Sequence, residues 1–269
     1  MRFVHLTDTH LNAPGKEGQF PNSKHYEKVR QTIRHIRETK VDPAFVLVTG
    51  DLSHGGDEED YVFIRSLFDE ASEQLGVPVY VVLGNHDHLS AFRQGYLGEA
   101  PSEDPYYYVQ NINGLRLIGL NSQIPNQPGG RIDEVQLAWL EQQLLTPAPK
   151  GTIVALHHPL FSLGGFTAKG LLVENRDEVA RVVAGTDVIG MFAGHIHSNL
   201  FGTYQGIFHV AAAGTAFTAE LGEGKEHFQF IDICGYNIVT VSEEGIVVQS
   251  IDLPRSRAEY MRIPSTRMI

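Results

Sequence analysis

The chain has 269 residues, enough for one sizeable core, and its 42% apolar and 20% charged composition is that of a globular protein, not a disordered one. A formal net charge of −11 argues against a general nucleic-acid binder, which needs a basic face to displace counterions, but leaves room for a small phosphate-bearing ligand. No apolar run approaches the roughly 20 residues of a membrane helix. The lone Cys234 excludes an intrachain disulfide and fits a reducing compartment, and Met1-Arg2-Phe3 enters a strand pattern with no signal peptide before it, so a cytoplasmic protein is expected.

In chain order, an apolar strand at 3–6 runs into Asp8-Thr9-His10. A polar loop, 12–23, precedes a helical pattern over 24–39 with Val29, Ile33 and Ile36 at helix spacing. A second strand, 45–49, stops at Gly50-Asp51. Gly55-Gly56 then breaks the chain before a helix over 58–75 that carries Tyr61, Ile64, Leu67 and Phe68 on one face. The third strand, 79–83, delivers Gly84-Asn85-His86-Asp87, and the intervening crossovers are long enough for parallel pairing. A rim loop is expected at 88–105. Strands at 106–109 and 115–120 flank Asn113-Gly114, a strong hairpin-turn signal. A helix over 133–145 is opened by Asp133 as N-cap. A strand over 152–156 then runs into His157-His158-Pro159, and the glycine-bearing loop 162–172 is a candidate rim or lid.

A short helix over 174–184, with Asn175 as a candidate cap, leads to a strand over 188–192 that ends in Gly194-His195-Ile196-His197. Short strands follow at 200–204, 208–212, 228–233, 237–241 and 246–251. Turns at Gly206, Gly235 and Glu243-Glu244-Gly245 separate them, which predicts an antiparallel half-sheet. A single domain is expected over 1–253, with a polar tail, 254–269, that is loose or docks on a partner. The β-rich C-terminal region is a candidate surface for a homo-oligomer.

Five apolar runs thus end in five polar tips rich in Asp, Asn and His. Each tip alone is compatible with a surface loop, but together they imply one metal site assembled from the whole chain. Glycine before the polar residues lets the backbone turn tightly, so that a carboxylate or imidazole reaches a metal. Oxygen and imidazole donors without cysteine suit Mn²⁺, Fe²⁺/Fe³⁺, Zn²⁺, Co²⁺ or Ni²⁺ and not a structural zinc. His54 and His88 lie close in sequence to the tips, where they either shape a substrate pocket or stand as solvent-exposed loop histidines.

Asp8-x-His10, Gly50-Asp51, Gly84-Asn85-His86-Asp87, His157-x-Pro159 and Gly194-His195-x-His197, in this order, resemble the signature of the calcineurin-like metallophosphoesterases. The resemblance spans residues 3 to about 215. It implies a four-layer α/β/β/α sandwich of two mixed sheets flanked by helices, with two metal ions (Mn, Fe, Zn or Co) at the sheet edges. Carried over residue by residue, one ion takes Asp8, His10 and His197, and Asp51 bridges to the second. The second ion takes Asn85, His157 and His195. His86 is then no ligand but contacts the substrate phosphate or leaving-group oxygen, and Asp87 orients it. A carboxylate bridging two cations acidifies the water between them, and attack of that hydroxide on phosphorus is the implied reaction.

Protein Ser/Thr phosphatases carry Gly-Asp-x-x-Asp-Arg-Gly, whose arginine grips a monoester dianion. Here the stretch reads Gly50-Asp51-Leu52-Ser53-His54-Gly55-Gly56, without arginine. The chain looks more like the bacterial class III cyclic-nucleotide phosphodiesterases and related glycerophosphodiesterases, through Thr49-Gly50-Asp51-Leu52, Val77-Pro78-Val79, His157-His158-Pro159 and Glu174-Asn175. The expected substrate is a small phosphodiester, a 3',5'-cyclic nucleotide first and a glycerophosphodiester second. A nuclease, nucleotide pyrophosphatase or phosphomonoesterase on the same core are alternatives, as is a non-catalytic metal-binding scaffold. Neither nucleic acid nor a membrane is an expected partner.

Overall fold

The structure, a computed structural model, describes residues 1–16, 24–161, 171–220, 227–254 and 258–264. Most of the loops expected at 12–23 and 162–172, the candidate lid among them, therefore lies outside the described residues.

Two mixed sheets face each other. The first is built from β1 (Arg2–Leu6), β2 (Val46–Thr49) and β3 (Val79–Val82), all parallel, extended on the β1 side by β12 (Cys234–Ser242) and β13 (Gly245–Leu253). The second runs in the order β4 (Tyr108–Ile112), β5 (Leu115–Gly119), β6 (Thr152–Ala155), β7 (Val188–Ala193), β9 (Ile207–Ala211), β8 (Leu200–Tyr204), with β5, β6, β7 and β9 parallel.

The near-continuous apolar runs are explained by burial on both faces, and strand alternation divides them between two cores. Phe3, Phe45, Leu47 and Val82 meet Leu117, Ile153, Phe192 and Val210 between the sheets. Phe3 stacks on Phe45 at 4.7 Å between ring centroids and takes the edge of Phe192 at 5.3 Å. Their sequence neighbours Val4, Val46, Val48 and Val81 point outward, under α1 (His25–Thr39) and α2 (Glu58–Leu75). On the far side, α4 (Glu134–Leu144) and α5 (Arg176–Val183) cover Ile118, Val154 and Met191. The layers are α/β/β/α, as expected.

Local signals account for the ends of elements. Asp57 and Asp60 close a capping box at the start of α2, and Gly76 ends that helix at φ 70°. Asp133 caps α4 by accepting from the Gln136 N–H at 2.8 Å. Among the described residues no helix is long and apolar enough to cross a membrane.

The structure corrects four expectations. The C-terminal strands do not form one antiparallel half-sheet. They are shared among both main sheets and a third sheet of β10 (Thr218–Glu220), β11 (His227–Ile231) and β14 (Glu259–Pro264). Gly235 is no turn but lies inside β12, where an added Cβ would meet the Ile251 carbonyl of the neighbouring strand. Part of the expected tail forms β14, which pairs with β11 and so packs onto the domain. The 88–105 stretch is no plain loop, because Leu89–Phe92 forms the short helix α3 and Arg93–Leu97 a π-helical turn, with Phe92 and Tyr96 buried.

Candidate metal centre

The carboxyl ends of β1, β2 and β3 in one sheet and of β6 and β7 in the other converge on one edge of the sandwich. Backbone bonds lock the loops that leave them: Asp8 N–H to the Gly50 carbonyl, 3.0 Å, His10 N–H to Asp51, 2.9 Å, and Gly194 N–H to His157, 2.9 Å. Glycine is needed where these loops touch. A Cβ at Gly84 would strike the Asp51 carboxylate, and one at Gly194 would strike Thr7 and the Asp8 carboxylate.

Five of the expected ligands hold left-handed backbones: Asp8 (φ 50°), His10 (41°), Asp51 (48°), His195 (71°) and His197 (51°). For residues other than glycine, each such conformation costs on the order of 1 kcal/mol, and its concentration in one cluster marks a site whose surroundings enforce the geometry.

Asp8, His10, Asp51 and His197 present ligand atoms all within 4.8 Å of one another, and every one of these side chains is buried. The Nε2 atoms of His10 and His197 face each other at 3.2 Å. His197 donates Nδ1–H to the Phe217 carbonyl at 3.0 Å, which turns Nε2 toward Asp8 Oδ1, 3.2 Å away. Asp8 Oδ2 accepts from Thr7 Oγ1 at 2.7 Å and the His195 N–H at 3.0 Å, while Oδ1 is buried with no hydrogen-bond donor.

The second cluster continues from Asp51. Its Oδ1 accepts from the His86 N–H at 2.9 Å and lies 3.4 Å from His157 Nε2, while Oδ2 lies 3.7 Å from His10 Nε2. His157 donates Nδ1–H to the Thr49 carbonyl at 2.8 Å, and its Nε2 meets Asn85 Oδ1 at 3.2 Å. The His195 ring packs 5.0 Å from that of His157. His158 shares this cluster, but its Nε2 donates to the Pro128 carbonyl at 3.0 Å and its Nδ1 pairs with Ser122 Oγ at 2.8 Å. Both ring nitrogens of His158 are thus engaged by protein, whereas His157 Nε2 faces Asn85 and Asp51.

The electrostatics favour positive charge in this cavity. Burial opposes ionisation of Asp8, yet the His197 imidazole beside it outweighs burial and holds the carboxyl below its ordinary range. Burial likewise lowers the basicity of His157, yet the adjacent Asp51 carboxylate raises it to about 9. His10 stays well below its ordinary value because burial dominates, which keeps its ring neutral and fit to ligate.

Two opposed imidazole nitrogens, a buried carboxylate oxygen with no donor, and ring tautomers fixed by backbone carbonyls fit cations held by nitrogen and oxygen donors. Asp8, His10 and His197 would hold one. Asn85, His157 and His195 would hold another, with one oxygen of Asp51 toward each group.

His86 sits at the rim, partly exposed, with its ring 5.0 Å from that of His10 and stacked at 5.1 Å on His54. Asp87 does not take the expected role. Its carboxylate accepts from the N–H groups of Leu52 (3.1 Å), Ser53 (3.0 Å) and Gly84 (2.9 Å) and from the Tyr61 hydroxyl (2.9 Å), and none of these partners is His86. Burial raises its carboxyl to about 6. Asp87 is therefore the pin that joins the loops after β2 and β3. Asn175 also departs from expectation: its side chain brackets the Ile132 backbone, by Nδ2–H to the carbonyl at 2.8 Å and Oδ1 to the N–H at 3.1 Å, and does not cap α5.

Sequence reading missed Phe217 altogether. Its carbonyl fixes His197, and its ring stacks on His197 at 4.4 Å and on His10 at 5.2 Å. A backbone acceptor leaves no trace in residue type, so only its place in the fold reveals it.

Beside Asn85 and His88 opens a cleft of about 600 Å³, walled by Leu89, Pro105, Asn121, Ile124 and Asn126.

Residues 1–199 match the profile of the family described as "Calcineurin-like phosphoesterase". A "cAMP/cGMP dual specificity phosphodiesterase" of Mycobacterium tuberculosis is 36% identical over 93% of this chain and 79% of its own length. A "Probable cyclic nucleotide phosphodiesterase" of Rhodococcus erythropolis is 34% identical over 93% of this chain and 83% of its own length. Among solved structures, a dimetal phosphatase from Danio rerio shares the fold, with a TM-score of 0.60 at 16% identity, covering 98% of this chain and 99% of its own.

Proposed function

The chain belongs to the calcineurin-like phosphoesterases and is a phosphodiester hydrolase, and we propose that it works with two metal ions on a 3',5'-cyclic nucleotide, cyclic AMP first. The observation that carries the two-ion reading is the Asp51 carboxylate, which offers one oxygen to the His157 side and the other to the His10 side. A carboxylate so placed would serve as a shared ligand of two adjacent cations. Such cations, when bound, supply Lewis acidity at the phosphoryl oxygens and an acidified water. The absence of sulfur donors favours Mn, Fe, Zn or Co at these positions.

The protein's own groups do the rest. Asn85 and His195 are half-buried and leave the second cluster open toward solvent and the cleft, so the scissile phosphate enters from that side. His86 is tethered through its N–H to Asp51, which fixes the ring at the mouth of the site. From there it donates a hydrogen bond to a phosphate oxygen or to the departing alkoxide. The Thr49 and Phe217 carbonyls accept from Nδ1–H of His157 and His197, which orients both rings with Nε2 toward the centre.

The cleft supports a nucleoside as the rest of the substrate. Its volume lies in the range of small-molecule sites. Apolar walls at Leu89, Pro105 and Ile124 suit the faces of a base, and the amide of Asn126 suits its polar edge. The names of the two relatives point the same way.

The test is hydrolysis of bis(p-nitrophenyl) phosphate against p-nitrophenyl phosphate by chelated protein reloaded with Mn²⁺, Zn²⁺, Fe²⁺ or Co²⁺. Cyclic AMP, cyclic GMP and glycerophosphodiesters follow. Metal-dependent preference for the diester, with the highest kcat/KM on cyclic AMP, is the expected result. A preference for the monoester overturns the proposal. A glycerophosphodiester as best substrate reassigns the cleft, and two bound ions without turnover make the chain a scaffold.

A further inference from the structure

We propose that the first turn of α1 braces the Asp8, His10 and His197 cluster, with Lys28 as the positioning residue that holds this half of the centre in register. The inference rests on reading those three side chains as ligands of one cation.

The starting point is an anomaly of burial. The inward face of α1 is apolar through Val29, Ile33 and Ile36, yet Lys28 on the same helix is only 3% exposed. A lysine is almost never buried so completely unless its ammonium is paired, because desolvating the charge is costly. Here the ammonium donates to the Ala216 carbonyl and forms an ion pair with Asp232 at 2.9 Å. The Ala216 contact joins residues 188 positions apart in sequence.

Ala216 is bound to the centre on its other side. Its N–H donates to the Asp8 carbonyl at 3.0 Å, and the preceding Thr215 N–H donates to Thr7 at 2.8 Å. The next residue, Phe217, supplies the carbonyl that fixes His197 and the ring that stacks on His197 and His10. Three residues before Lys28, on the same side of the helix, His25 donates Nδ1–H to the His10 carbonyl at 2.8 Å. One turn of α1 thus grips the backbone at two places, the His10 segment through His25 and, through Lys28, the 216–217 strip that supports His197. A metal-ligating histidine is aimed by the bond at its other nitrogen, so a displacement of the Phe217 carbonyl redirects His197 Nε2.

The experiment compares wild type, Lys28→Met and Lys28→Arg. Stepwise Co²⁺ affinities are measured by competition with a chelator. Proton NMR of the Co²⁺-loaded protein follows the shifted Nδ1–H resonance of His197, identified by its loss in His197→Gln. Lys28→Met is expected to weaken one of two affinities by about 10-fold, the low end for support behind a ligand, while leaving the other nearly unchanged, and to move the His197 resonance. Lys28→Arg, which keeps a cationic donor, is expected to recover most of the loss. Unchanged affinities and an unmoved resonance in Lys28→Met overturn the brace, whatever happens to the melting temperature of the metal-free protein. If Lys28→Met does not fold, Asp232→Asn removes the counter-charge instead. It should weaken the same affinity several-fold, and two unchanged affinities overturn the proposal equally. Wild type that binds fewer than two ions refutes the two-ion reading itself, so the two failures are distinguishable.

Discussion

The two halves of the centre are built to different standards. Asp8, His10 and His197 are 0%, 2% and 6% exposed, and each is held by a further contact, from Thr7, His25 or Phe217. Asn85 and His195 are only half-buried, and Asn85 lines the cleft. Donors that are desolvated and tied in place bind a cation with little reorganisation and keep water out of its shell. Donors at a cleft leave coordination positions that a substrate oxygen can take. One half is thus suited to holding its ion and the other to presenting an ion to the phosphate.

The largest effect should come from the residue the two halves share. Asp51→Ala removes one oxygen from each group, so both cation affinities should fall and turnover on bis(p-nitrophenyl) phosphate should drop by about 10³ or more. Metal analysis after gel filtration, read beside the rate, checks this. Loss of one ion with the other bound at wild-type affinity would show two independent sites and not one centre.

His86→Ala comes next. The side chain stands outside both proposed ligand sets, so both ions should stay while kcat falls by about 10²-fold or more, the usual worth of a positioned proton donor. Full turnover in this variant would remove His86 from the chemistry, and loss of an ion would make it a ligand after all. Smaller still, and aimed at the contrast itself, is the pair His197→Ala and Asn85→Ala. His197→Ala should weaken cation binding by about 10–100-fold, whereas Asn85→Ala should act more on KM and kcat than on the tighter affinity. Equal losses of affinity in the two variants would erase the distinction between a holding half and a presenting half.

Much of this site was legible in the sequence because its scaffold writes a simple pattern. Strands buried on both faces give unbroken apolar runs, and the runs ending at Thr49, Val82 and Ala193 each meet a polar tip within two or three residues, behind glycine. Helix α2 was equally plain, because Gly55-Gly56 breaks the chain before it and Tyr61, Ile64, Leu67 and Phe68 line one face. Backbone recognition left no such mark. The side chain of Asp87 looked like a partner for His86, but it serves the N–H groups of Leu52, Ser53 and Gly84, which any residue types would present. Gly235 looked like a turn because glycine usually punctuates, yet here it admits a close approach of β13. The sorting of C-terminal strands into three sheets depends on pairing at long sequence separation, to which alternation within one strand is blind.

An effect on acid stability is expected beneath the holding half, at His5, three residues before Asp8 on β1. The ring is fully buried, hydrogen-bonded with Thr49 Oγ1 at 2.8 Å and set edge-on to Phe192 at 5.3 Å. Burial depresses its basicity to about 3, against an ordinary value of 6.5. In acid the unfolded chain therefore takes up this proton before the folded one does. The stability that depends on a neutral His5 is complete above pH 6.5 and declines as pH falls toward 3. His5→Gln keeps a polar partner for Thr49 but does not titrate. In chelated protein its stability should fall less between pH 6.5 and 4 than that of wild type, by on the order of 2–3 kcal/mol. Urea melts at a series of pH values measure the difference. Parallel curves would mean that the folded state takes up the His5 proton as readily as the unfolded chain, and the acid sensitivity of the holding half would then have to come from its ligands alone.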